Sequence, residues 1–226
     1  MRLPPLASRL LAEAIGTALL VAAVVGSGIA AERLSPGQPG LELLENSLAT
    51  ALALVAILLA LGPVSGAHLN PAVTAVEALA GRLPRGDALP YVLAQVAGGA
   101  AGCVLANLMY GLAPVAVSTT ARFGGALWLS EAAATFGLLL VVRGVAESPA
   151  PRAAPFAVAA YVGAGYWCTS SMCFANPAVT LSRVLTDTFA GIAPGSVVPF
   201  LVAEAAGAAL FVLVAPRLFG RTGAAP

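Results

Sequence analysis

The sequence predicts an all-α membrane protein: a bundle of six spans with two re-entrant half-helices, built as an inverted repeat. Three observations lead there. Of 226 residues, 59% are hydrophobic and 9% charged, too little polar surface to cover a soluble globule. Long apolar runs lie at about 9-30, 44-63, 89-110, 126-146, 155-172 and 197-218, each approaching the roughly 20 residues of helix that cross a hydrocarbon core. The pentapeptide "NPAVT" occurs twice, beginning at Asn70 and at Asn176.

The runs are Ala/Leu/Val/Gly continua without the alternation of barrel strands, so they read as helices. Small residues suit close packing of membrane helices, and Gly98 and Gly102 form one small-xxx-small pair in "AGGAAG". The first run follows a basic start, as a secretory signal would. It is longer than a signal core, and its removal would leave five spans, so it is read as a retained span. With six spans, Arg2, Arg9, Arg82, Arg85, Arg143, Arg152, Arg217 and Arg221 fall on one side, against Arg33, Arg122 and Arg183 on the other. The positive-inside rule then puts both termini in the cytoplasm of a cell whose inner membrane holds the protein. A net charge of +1 without basic blocks gives no support for a nucleic-acid partner. Cys103, Cys168 and Cys173 lie in or beside apolar spans and give no disulfide framework.

The halves align. "LAEAIGTALLVAAVVG" opens the first and "LSEAAATFGLLLVVRG" the second, matching Glu13 to Glu131. Each then has an apolar span, "NPAVT", and a third span, "YVLAQVAGGAAG" or "FLVAEAAGAALF", matching Gln95 to Glu204. The chain is one membrane domain over 1-226, with repeats at about 1-110 and 126-218 joined by a loop at 111-125. Three spans per half invert the second copy, so functional groups are expected where the halves meet near the midplane.

Asn before Pro is a helix start, the Asn capping and the Pro at the first helical position. A first short helix is expected over Pro71 to Ala80, ended by Gly81, and a second over Pro177 to about Phe189, closed by Gly191 and Pro194. At roughly 15 to 20 Å neither spans the core. As inverted copies they bring two positive helix ends head to head at the membrane centre, which repels cations and accepts the oxygen of a neutral molecule. Asn70, Pro71, Ala72 and Asn176, Pro177, Ala178 are therefore the expected central constriction.

On "SGAHLNPAVT", "FANPAVT", the glutamates of "AEAIGT" and "SEAAAT" and the "AQVAGG" span, the chain resembles the aquaporin, or major intrinsic protein, family over essentially its whole length. The resemblance implies a six-span hourglass, a pore in each subunit and a homotetramer. It also implies an outer selectivity filter of four side chains, which match Thr50, Ala164, Cys173 and Val179 here. Aquaporins usually carry arginine where this chain has Val179, and water-selective members add aromatic and histidine partners; this chain is expected to lack all three. Loss of the guanidinium leaves a wider, less polar ring and a weaker cation barrier. The stretch "FANPAVTLSRVLTDTFAGIAP" further resembles a bacterial branch associated with arsenic resistance.

The expected function is a passive channel for small uncharged solutes, glycerol or metalloid hydroxides such as arsenous acid, and water, without cofactor, metal or catalysis. A mainly water-conducting pore, a proton-coupled transporter and a pore-less scaffold are the alternatives. Arg183, one turn beyond Val179, is expected to form an exposed pair with Asp187 rather than to act as a vestibule cation. The resemblance assigns His68 to the inner pore, with Phe174 as its counterpart. Glu13 and Glu131 are expected to accept hydrogen bonds from the lead-ins to the half-helices. Cys173 is expected to present its thiol to the pore.

Overall fold

A computed structural model describes residues 4–220, so Arg2 and Arg221 lie outside the described residues. The chain runs α1 (Leu6–Leu34), α2 (Pro39–Ser65), α3 (Pro71–Leu79), α4 (Arg85–Met109), α5 (Gly125–Ala146), α6 (Ala154–Cys168), α7 (Pro177–Ser182) and α8 (Pro194–Leu218). Each half thus reads long, long, short, long. Helix α1 packs on α4 and α2, α5 packs on α8 and α6, and the halves join through α2 against α6 and α4 against α7.

Polarity is distributed for a bilayer. Leu11, Leu52, Leu93, Leu129 and Leu213 point outward, whereas Glu13, Gln95, Glu131 and Glu204 are fully buried. Among the described residues, five helices are long and apolar enough to cross a membrane. Helix α6 has 15 residues, about 22 Å. The 3₁₀ turn Pro151–Ala153 before it adds about 6 Å, so the two together approach the roughly 30 Å core.

Close approach of the helices depends on glycines at matching positions of the repeat. A Cβ on Gly98 of α4 would lie 2.1 Å from the Ala14 carbonyl oxygen of α1, and one on Gly207 of α8 would lie 2.2 Å from that of Ala132 on α5. Backbone meets backbone at both crossings, where dispersion contacts are densest. At one edge Arg9 pairs with Asp87 at 2.8 Å, and the Tyr91 hydroxyl donates to the Ser65 carbonyl at 3.1 Å, which ties α1, α4 and α2 together.

Two expected elements are shorter than the sequence suggests. The fifth span, expected over 155-172, stops at Cys168, because Thr169 turns extended and its hydroxyl takes the Cys173 N–H at 3.0 Å. The second half-helix, expected to reach about Phe189, stops at Ser182 and tightens into a 3₁₀ turn over Arg183–Leu185. Continuation is blocked because the carbonyls of Val184 and Leu185 accept from Ser118 and Ala116 N–H at 2.9 and 3.0 Å. The loop between the halves thereby becomes part of the wall around α7.

Gly98→Ala and Gly207→Ala are each expected to destabilise by about 1–3 kcal/mol through overpacking. Thermal unfolding in detergent should show a lowered Tm for both, and no loss for Gly40→Ala, where a Cβ meets open space.

Candidate functional site

The lead-ins to α3 and α7 carry the backbone geometry of the site. Ala67 and Leu69 have φ of 45° and 52°, and Cys173 and Ala175, their counterparts in the repeat, have 50° and 45°. Left-handed conformation at a residue with a Cβ costs roughly 1–2 kcal/mol, so each segment needs an external restraint. Glu13 supplies one: its Oε1 accepts from His68 N at 2.9 Å and its Oε2 from Leu69 N at 2.7 Å. Glu131 does the same for Phe174 N at 3.0 Å and Ala175 N at 2.7 Å. Consecutive N–H groups converging on one anion form a nest.

The third span of each half adds a second clamp. Gln95 donates from Nε2 to Glu13 at 2.8 Å and to Thr74 Oγ1 at 2.9 Å. Glu204 accepts from Asn176 N at 3.1 Å and Thr180 Oγ1 at 2.7 Å. Glu204 was matched to Gln95 by the repeat but not expected to touch the asparagine.

Each asparagine caps its own helix and reaches across to the other half. Asn70 Oδ1 accepts from Ala72 N at 2.8 Å, and Asn176 Oδ1 from Ala178 N at 3.0 Å. Asn70 Nδ2 donates to the Ala175 carbonyl and Asn176 Nδ2 to the Leu69 carbonyl, both at 2.8 Å. Each amide thus spends one N–H on the opposite lead-in and keeps one for the cavity that both residues line. Pro71 and Pro177 occupy the first positions of α3 and α7, where no N–H is needed.

That cavity, about 390 Å³, passes between the halves. Gly62 on α2 and Ala154 on α6 each lie about 18 Å along their helices from Thr50 and Tyr166, which meet at 3.3 Å. The lining therefore runs from Gly62, Glu77 and Ala154 past His68, Asn70 and Asn176 to Thr50, Tyr166, Cys173, Val179 and Arg183. His68 Nδ1 lies 3.1 Å from Thr74 Oγ1, and Phe174 stacks edge-on to Phe200 at 5.2 Å between centroids. Thr50 Oγ1 lies 3.3 Å from the Tyr166 hydroxyl. Among the described residues no cluster of His, Cys, Asp and Glu is arranged to hold a metal ion.

Two residues sit elsewhere than expected. Ala164 is exposed and outside the cavity, whose α6 wall is Ala154, Pro155, Val158, Val162 and Tyr166. Residues 162 and 166 share a helix face, and 164 is rotated about 200° from Val162. The non-helical turn after Cys168 breaks the register by which a motif-based count reaches α6, whereas the four-residue spacing of Val162 and Tyr166 was available as a signal. Arg183 forms no exposed pair with Asp187. It is 1% exposed, donates from Nε to the Ala190 carbonyl, and lies 3.5 Å above the Phe174 ring. Asp187 instead accepts from Thr119 N at 2.8 Å.

Glu131→Gln should destabilise by about 2–3 kcal/mol, because an amide NH₂ would face a buried N–H donor that needs an acceptor. A lowered Tm in detergent, with Glu32→Gln at the exposed end of α1 as comparison, checks this.

Comparison with known proteins agrees with this architecture. The family model described as "Major intrinsic protein" matches residues 2–173. The aquaglyceroporin AqpS of Rhizobium meliloti is 50% identical over 204 residues, 90% of this chain and 86% of its own length. A probable aquaporin, AqpM, of Archaeoglobus fulgidus is 35% identical over 83% of this chain and 86% of its own. The X-ray structure of the aquaglyceroporin from Plasmodium falciparum superposes with a TM-score of 0.72 over 93% of this chain and 95% of that one; at 20% identity this speaks for the fold. Two inverted halves, two short helices capped by asparagine, and these similarities lead to one conclusion: the chain belongs to the major intrinsic protein family, as a multi-pass membrane channel and not an enzyme.

Proposed function

We propose that this channel passes small uncharged solutes, glycerol and neutral metalloid hydroxides such as arsenous acid, along with water, down their gradients and without a cofactor. Val179 carries the reading. It lines the outer end of the cavity with two methyl groups, beside the Cys173 thiol and the hydroxyls of Thr50 and Tyr166. A ring of methyl, thiol and hydroxyl groups suits a molecule with an apolar flank and several hydroxyls. The name of the Rhizobium relative, aquaglyceroporin, supports the same solute class.

The reading includes assembly as a homotetramer in the cell inner membrane, with both termini cytoplasmic. The arginine distribution of the sequence supports that orientation. Asn70 and Asn176, each with a free amide N–H facing the cavity, form the central constriction, and His68 lines the pore beside them.

Purified protein in liposomes tests the proposal by stopped-flow light scattering. Glycerol and arsenous acid should equilibrate faster than in empty vesicles, without saturation and without sensitivity to an uncoupler. Water flux with both larger solutes at the empty-vesicle rate would overturn the wide-filter reading, and uncoupler-sensitive uptake would favour a proton-coupled transporter. Val179→Arg should slow glycerol about tenfold, the rate consequence of about 1.4 kcal/mol of added barrier, and slow water less. Equal loss of both in folded protein would remove Val179 from the filter.

A mercurial should block flux by capping the Cys173 thiol inside the cavity. Cys173→Ser should conduct in its presence, whereas Cys103→Ser and Cys168→Ser, whose sulfurs lie outside the cavity lining, should remain sensitive.

A further inference from the structure

Arg183 is a fully buried arginine that borders the pore cavity, and its charge is unaccounted for. Its Nε is held by the Ala190 carbonyl, and its Nη2 is buried without a hydrogen-bond partner. Among the described residues the ion pairs are Arg9–Asp87, Arg82–Glu77 and Arg143–Glu147, and none includes Arg183. Asp187, the acid nearest in sequence, is engaged by Thr119. Phe174 holds the guanidinium from below at 3.5 Å, and the same ring carries Arg122 at 5.3 Å.

A buried guanidinium with an unspent N–H is expensive unless something solvates it. Here the side chain borders the cavity, so although Nη2 itself is covered, the positive charge stands at the pore wall. The position follows from the local fold: α7 ends at Ser182, and the 3₁₀ turn Arg183–Leu185 keeps residue 183 on the side of Val179, four residues and about 6 Å further from the asparagines. Thr50, Tyr166 and Cys173 border the same end of the cavity, and none of these brings a carboxylate.

We infer that Arg183 is a specificity-determining residue of this channel. From one turn beyond Val179 it sets a fixed positive charge at the cavity wall, which attracts the oxygen of a passing neutral hydroxylated solute and excludes cations. This rests on the proposed channel function and deepens it. Width and charge, which a filter arginine would combine at one level, are separated here: the ring at Val179 admits bulkier neutral solutes, and the charge at Arg183 keeps the barrier to cations.

Two measurements on the same liposomes separate the claims: glycerol flux by light scattering, and proton entry by an internal pH dye under a potassium diffusion potential with valinomycin. Wild-type protein should conduct glycerol with proton entry near that of empty vesicles. Arg183→Leu should raise proton entry relative to glycerol flux about tenfold, a change equivalent to removing about one decade of barrier, and Arg183→Lys should restore exclusion by returning the charge.

An independent pair leaves Arg183 and its bonds in place. Val179→Asp sets a carboxylate one turn from the guanidinium and should leak more protons per glycerol than Val179→Asn, its neutral isostere. If Arg183→Leu does not fold, this pair decides alone. Folded Arg183→Leu that stays proton-tight, Arg183→Lys that leaks as much as Arg183→Leu, or Val179→Asp no leakier than Val179→Asn would overturn the role of Arg183. Absence of glycerol flux in wild-type protein would instead overturn the channel reading itself.

Discussion

Glu13 and Glu131 each bind two backbone N–H groups of a segment that has left-handed residues and no regular secondary structure. Non-helical backbone at membrane depth survives only when its polar groups find partners in protein or in a water-filled cavity. A carboxylate is the strongest such partner, because hydrogen bonds to a charged acceptor are roughly twice as strong as neutral ones. Once the two nests are in place, Asn70 and Asn176 follow. Each is set to cap its own short helix and to donate to the lead-in opposite, so the two halves are stitched at the middle of the pore.

The restraint on the lead-ins also explains the packing around them. Glu13 and Glu131 sit one residue before Ala14 and Ala132, whose carbonyl oxygens touch the backbone of Gly98 and Gly207. The same turn of α1 that delivers a carboxylate to the first lead-in is thereby pressed against α4, which delivers Gln95 to that carboxylate. In the second half α5 and α8 repeat the arrangement with Glu131 and Glu204. Glycine at the crossing and an acid or amide three residues earlier act as one device, used twice.

Most of this was legible in the residues. Apolar runs of span length, the repeated "NPAVT" and the matched glutamates suffice for the helix order, the inversion and the partners of the lead-ins, because each rests on local capping chemistry or on burial of charge. The ends of α6 and α7 were not legible. The end of α7 depends on which carbonyls the 111–125 loop captures, and that loop has no periodicity to read; the end of α6 depends on Thr169, whose hydroxyl takes the Cys173 N–H. Ala164 illustrates the cost: a position counted through an irregular turn falls on the outer face of its helix.

Hydropathy, spacing and the asparagine-proline starts are properties of short stretches, and they are enough to fix the class of the molecule and its centre. The Val179 end of the cavity was set only once the tertiary contacts formed. Arg183 and Asp187, four apart, look like an ordinary helical pair on paper. In the folded chain Thr119 takes the acid, the helix ends at Ser182, and the guanidinium turns inward over Phe174 to border the cavity. No local pattern encodes that, because three separate segments must meet before the charge has anywhere else to go.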